Sequence, residues 1–121
     1  IPKKFTTDVI IEKNVFNNNL KTASVFSNKL NELSVAVSSK NGSISIKTSN
    51  NEAGEHMANI PAKVTGDELK MTFNHKYIFD CLPHINSEKI LLRFSGEGKP
   101  LIITGTDENS FQYIAMPMNM M

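Results

Sequence analysis

Apolar residues recur at every second position in short runs along this chain, each run closed by turn-forming or charged residues. That rhythm predicts eight β-strands, at about 7–13 (TDVIIEK), 33–39 (LSVAVSS), 42–48 (GSISIKT), 55–62 (EHMANIPA), 67–73 (DELKMTF), 88–95 (EKILLRFS), 99–105 (KPLIITG) and 110–117 (SFQYIAMP). Two turns carry hairpin chemistry. Lys40-Asn41-Gly42-Ser43 holds an Asn-Gly pair that tolerates positive φ, and Gly96-Glu97-Gly98 joins the next pair of strands.

Two stretches break the alternation and read as helices. Over about 15–27, Phe16, Leu20 and Ala23 fall on one face, opposite Asn18 and Thr22. Over about 75–85, Asn74 is placed to cap the first turn, and Ile78, Cys81, Leu82 and Ile85 form a stripe opposed by Lys76, Asp80 and His84. Pro83 is expected to kink or shorten the last turn. The order of elements is then βαβββ, twice, at an offset of roughly 60 residues. SISIKT corresponds to PLIITG, and ANIPA to YIAMP. A duplicated unit of this kind predicts an α+β domain with pseudo-two-fold symmetry, antiparallel sheets outside and both helices on one side.

Two surfaces read as unfinished. Val25 lies nine residues after Phe16 and points away from the core stripe, with Phe26 beside it. An outward Val next to a Phe is either a scattered surface residue or an interface anchor. In the last predicted strand Ile114, Met116 and Met118 share one face while Phe111, Tyr113 and Ala115 share the other. If one face packs the core, the other must be covered by a neighbouring element or by a partner. Methionine suits a surface that adapts to varied apolar peptides, and Pro117, lacking a donor, suits an edge.

Composition narrows the field. With 121 residues the chain is one domain, and its apolar fraction of 40% and charged fraction of 21% are ordinary for a globular protein. A net charge of +1 argues against an open-surface nucleic-acid binder, which needs a basic excess. The single Cys81 cannot form an internal disulfide, which fits a reducing cytosol. No apolar run approaches the ~20 residues of a membrane helix. The first residue is Ile1, so a fragment or processed chain is expected. The abundant asparagine, as in Asn17-Asn18-Asn19, carries no functional weight.

No catalyst assembles from these residues. Ser95-Gly96-Glu97-Gly98-Lys99-Pro100 lacks the hydroxyl residue of a phosphate loop and leads into a strand. His56, His75 and His84 do not sit at metal-ligand spacings, and Asp107-Glu108-Asn109 reads as a solvated turn. Neither a metal nor a cofactor is expected.

The ending SGEGKPLIITGTDENSFQYIAMPMNMM, with FNHKYIFDCL upstream, resembles the C-terminal third of the bacterial DNA sliding clamp family, the beta subunit of the replicative DNA polymerase III. The likeness runs over nearly the whole chain. Its most specific parts are the terminal Met-Pro-Met and the Phe-Asn-x-x-Tyr that opens the second helix, with Ser24-Val25-Phe26-Ser27-Asn28 in support. The resemblance implies a third domain, residues 1–121, with 1–5 as the end of an interdomain linker. Members are head-to-tail homodimers that close a ring around double-stranded DNA and tether the polymerase without an active site of their own. It further implies a pocket of Asn74, Tyr77, Gly98, Pro100, Ile114, Met116, Pro117, Met118, Asn119 and Met120. Such a pocket takes Gln-Leu-x-Leu-Phe-like motifs from the DNA polymerase III alpha subunit, the clamp loader, other polymerases, ligase and mismatch-repair proteins, and is completed by the preceding domain. Val25 and Phe26 would meet the other protomer, with Glu52 and Glu55 on the acidic side of that seam, and Lys21, Lys29 and Lys76 would face DNA. The ending Asn119-Met120-Met121 departs from the family, which often places a base and a terminal Leu there. The acidic stretch at 52–59 is also thinner than usual.

Two readings from other classes compete. A stand-alone peptide-binding adaptor would share the methionine-rich face but stay monomeric. A small hydrolase or transferase using Asp107, Glu108 or His75 would need strongly perturbed titration at those groups.

Overall fold

The computed structural model describes residues 6–26, 29, 31–50, 52, 54–96, 98–106 and 112–118. Nine strands and two α-helices are found among them. They run β1 (Thr7–Glu12), α1 (Lys13–Val25), β2 (Glu32–Ser38), β3 (Ser43–Asn50), β4 (Gly54–Pro61), β5 (Lys63–Gly66), β6 (Leu69–Asn74), α2 (His75–Cys81), β7 (Lys89–Phe94), β8 (Leu101–Gly105) and β9 (Tyr113–Ala115). A single 3-10 turn, Leu82–His84, follows α2 and contains Pro83, which shortens the helix as expected.

The alternation bears directly on packing. In β2, Leu33, Val35 and Val37 are buried while the residues between them are not. Their cross-strand partners include Phe73, Met71 and Leu69 on β6, and Ile46 and Ile44 on β3. Phe16, Leu20 and Ala23 of α1 and Ile78, Cys81 and Leu82 close the same core from the other side. Both helices pack together, α1 against β1, β3 and β4 and α2 against β9.

Both sheets are antiparallel, ordered β5-β1-β7-β8-β9 and β4-β3-β2-β6. The two repeats therefore exchange their first strands. β1 joins the hairpins of the second repeat, with Thr7 opposite Phe94, and β6 joins those of the first, with Glu32 opposite Asn74.

A ninth strand is a correction to the eight expected. Lys63–Gly66 lies between Pro61 and Asp67 and reads as a connector, yet it pairs with β1, Val64 opposite Val9. The chain leaves one sheet at β4, crosses at Ala62 and enters the other as β5. The second repeat makes the same crossing. β9 ends at Ala115, earlier than expected, and Met118 N–H then donates to the Thr72 carbonyl of β6 at 2.8 Å. Ile60 and Ala115 are register equivalents, opposite Ile44 and Leu101. Met118 thus reaches Thr72 as Lys63 reaches Ile10.

The β2–β3 hairpin differs from the expected Asn-Gly turn. Ser38 pairs with Ser43, leaving a four-residue loop in which Gly42 takes φ +62°. Asn41 does not take positive φ; its N–H donates to the Ser38 hydroxyl at 3.2 Å.

Candidate functional site

The pocket and interface residues singled out in the sequence fall on two flanks of the domain, one around β9 and one around β4. The first flank is built from β9, residues 116–118, the start of α2 and the turn before β8. Asn74 caps α2, its side-chain oxygen accepting from Lys76 N–H at 2.9 Å. That bond ties the oxygen to the helix and leaves its second lone pair and the amide NH2 for other contacts. Tyr77, one turn in, is 70% exposed.

Period-two geometry splits β9 as the sequence implied. Ala115 is buried and Tyr113 packs on the core, while Ile114 is 55% and Met116 64% exposed. Pro117 and Met118 are half-buried. Gly98 is exposed at φ +80° and Pro100 is half-buried. Leu101 opposes Ala115 at the end of that ladder, and Pro100 and Met116 each lie one residue beyond it. The packing of α2 on β9 brings Tyr77's helix to the same flank. Asn119 and Met120 lie outside the described residues. Ile102, which sequence reasoning did not select, sits opposite Ile114 and is only 2% exposed although it belongs to the outward face of its strand. An unbroken apolar strand, LIIT, is the signal that marks it, because alternation is lost where both faces are covered.

The second flank is β4 with the end of α1. Val25 is 68% exposed and Phe26 is half-buried at the helix C-terminus. β4 is an edge strand with one neighbour, β3, so one row of its backbone donors and acceptors has no partner strand among the described residues. Glu55 lies on this edge and pairs with Lys47 at 3.5 Å, while Glu52 sits exposed in the turn before it. His56, which the sequence marks only as lacking metal-ligand spacing, stacks on Phe26 with centroids 5.5 Å apart and 15° between planes. Nothing in the spacing of residues 26 and 56 foretells that contact.

Lys21, Lys29 and Lys76 are all exposed, Lys21 on α1 and Lys76 on α2, and none is in an ion pair among the described residues. α1 and α2 pack against each other, so Lys21 and Lys76 belong to one helical layer, and Lys29 follows α1 in the chain.

Two groups titrate away from their ordinary values. Burial holds the His75 imidazole below its usual range, helped by the positive charge of Lys76 and opposed by Asp80. Burial also pushes the Cys81 thiol up to about 11, against the effect of its backbone hydrogen bond, with Asp80 adding to the rise. Both causes are those of a packed interior, not of a nucleophile held by a base. Asp107 and Glu108 lie outside the described residues. Among the described residues no group of three His, Cys, Asp or Glu side chains is placed to hold a metal, and no helix is long and apolar enough to cross a membrane.

Residues 1–119 match the family model of the C-terminal domain of the DNA polymerase III beta subunit. The chain is 29% identical over 117 residues to the beta sliding clamp of Streptococcus pneumoniae, covering 94% of this chain and 31% of that protein. It is 26% identical over 120 residues to the beta sliding clamp of Bacillus subtilis, with 98% of this chain and 32% of that protein covered. The chain thus spans about a third of the length of the curated relatives it matches. Among solved structures, the DNA polymerase III beta subunit of Thermotoga maritima superposes with a TM-score of 0.93 at 24% identity, over 100% of this chain and 33% of that one. That of Pseudomonas aeruginosa gives 0.92 at 22% identity, over 99% and 32%.

Proposed function

The chain belongs to the family of C-terminal domains of the DNA polymerase III beta subunit, and on that premise we propose that it is the third domain of a ring-shaped sliding clamp. In this reading the ring is a homodimer in the cytoplasm, encircles double-stranded DNA without regard to sequence, and tethers the replicative polymerase. It is a non-catalytic processivity factor. Topological linkage raises the polymerase's effective concentration at the template, so only weak, sliding phosphate contacts are needed. Lys21, Lys29 and Lys76 would supply such contacts from the helical side, which reconciles a net charge of +1 with a DNA partner.

The two flanks take separate tasks. The β4 flank, with Val25, Phe26, Glu52 and Glu55, meets the first domain of the other protomer. The β9 flank adjoins the preceding domain and docks linear motifs of polymerase III alpha, the clamp loader, other polymerases, ligase and mismatch-repair proteins. Asn74, Tyr77, Gly98, Pro100, Ile114, Met116, Pro117 and Met118 form this chain's wall of that pocket, with Asn119 and Met120 beyond the described residues.

One observation carries the docking proposal. The strand that buries Ala115 in the core turns Ile114 outward, Met116 just after it is exposed too, and α2, which carries the exposed Tyr77, packs on that strand. Re-covering those side chains offers roughly 1–2 kcal/mol each, a little over half the value of full burial. The test is fluorescence anisotropy of a labelled Gln-Leu-x-Leu-Phe peptide with the full-length protein, wild type against Met116→Ala. Affinity should fall about 5- to 30-fold with the melting temperature unchanged, since Met116 lies outside the core. Equal affinity in the two proteins would refute the pocket.

A further inference from the structure

The end of α1 is fixed to the β3–β4 hairpin at two points, and the second is made by a residue that neither the pocket nor the DNA-facing side uses. Thr48 of β3, 2% exposed, donates its hydroxyl to the Ala23 carbonyl at 2.7 Å. Directly across the ladder from Thr48 stands His56, whose ring lies against Phe26. Its Nε2 is enclosed and makes no hydrogen bond. An enclosed imidazole nitrogen without a partner costs stability, so hydrogen bonding does not account for the ring's position. Its flat contact with Phe26 does.

Phe26 follows the last residue of α1, and its N–H donates to the Ala23 carbonyl at 3.0 Å. The His56 ring stacked on Phe26 ties the residue after Val25, itself 68% exposed, to β4 at the corner where α1 packs on that edge strand. We infer that His56 is a positioning residue for the self-association seam, holding Phe26 so that the helix corner and the β4 edge present one continuous surface to a second copy of the full-length protein. The inference rests on the ring reading of this domain. A second copy is the favoured occupant because this flank offers an unpaired strand edge together with an apolar corner. A head-to-tail contact built on such an edge repeats identically at each seam of a closed ring.

Without the stack Phe26 must be ordered on association, and the full value of the pair, as the upper limit of that cost, corresponds to roughly a two- to tenfold change at each seam. A closed ring of two chains contains two seams, so the dimer Kd should rise by about the square of that, roughly 4- to 100-fold, when the ring of His56 is removed. The experiment compares dimer dissociation of wild type, His56→Ala and His56→Phe in the full-length protein, by sedimentation and by exchange between labelled and unlabelled dimers. His56→Phe keeps a flat ring and removes the unpartnered nitrogen, so it should dimerise at least as tightly as wild type. His56→Ala should dissociate within the range just given.

A purely structural role predicts loss of melting temperature without this pattern of rescue. Unchanged dimerisation in His56→Ala, or weakening in His56→Phe as large as in His56→Ala, overturns the inference and leaves the ring reading intact. A monomeric wild type overturns the ring reading itself. If His56→Ala does not fold, the tight dimer expected of His56→Phe decides alone.

Discussion

Gly66→Ala should cost this domain much of its stability through a contact no side chain makes. Gly66 ends β5, pairs with Thr7 and takes φ +112°, a conformation that L side chains rarely adopt. A Cβ built there lands on the Thr6 carbonyl oxygen and comes within 2.9 Å of both the Thr6 carbonyl carbon and Thr7 Cα. All three atoms are backbone, so no rotamer change relieves the overlap. Relief requires β1 to part from β5 at its first residues. That movement threatens the Asp67 N–H bond to the Thr6 carbonyl, 3.1 Å, and the buried Thr7 hydroxyl bond to the Asp67 carbonyl, 2.7 Å.

Conformational strain contributes about 1–3 kcal/mol, and each hydrogen bond about 1 kcal/mol. The expected loss is therefore roughly 3–5 kcal/mol, a large part of the ~5–15 kcal/mol that holds a domain together. Urea denaturation followed by circular dichroism measures it, with Gly98→Ala as the control. Gly98 also has positive φ, +80°, but nothing lies within 4 Å of its Cβ position, so strain alone should cost about 1 kcal/mol there. If the two variants lose the same stability within ~1 kcal/mol, backbone crowding at the sheet crossing is not what requires glycine at 66.

Two further outcomes follow from the buried titratable groups. His75 is held below the ordinary imidazole range, so the unfolded chain binds its proton more readily than the native one does. Stability should accordingly fall as pH drops through the unfolded histidine value of about 6.5 and level off below the native value. Thermal melts between pH 8 and 5 should show this slope, reduced in His75→Gln; equal slopes in both proteins would refute it. Cys81, buried with its thiol raised to about 11, should resist iodoacetamide at pH 8 in the native state and react promptly in denaturant. Rapid native labelling, with no unfolding detected, would contradict the described burial.

Local rhythm made the strands and helix faces readable. β2 buries alternate residues because Leu33, Val35 and Val37 can satisfy only one face of a pleat, and Asn74 caps α2 because its side chain competes for a free N–H. The outward set of Ile114 and Met116 was visible for the same reason. What alternation does not encode is which sheet a strand joins. VIIE and KMTF would look the same in either sheet, and the exchange of β1 and β6 appears only when sequence-distant strands pair. β5 escaped notice because its four residues carry one apolar side chain and its strand character comes from pairing with β1. The Phe26–His56 stack is likewise a product of tertiary approach.

The exchanged first strands also govern what half of this domain can do. Residues up to the end of β4 supply β2, β3 and β4 but lack the strand that borders β2, since β6 fills that place. Their own first strand belongs between β5 and β7. A half-length polypeptide therefore leaves Leu33, Val35 and Val37 without Phe73, Met71 and Leu69 to pack against. It can recover that arrangement only by borrowing a first strand from a twin, as a domain-swapped pair. Cutting the chain between the repeats yields two interlocked pieces, not two modules, and a ribosome must deliver β7 before β1 has any partner in its own sheet beyond the short β5.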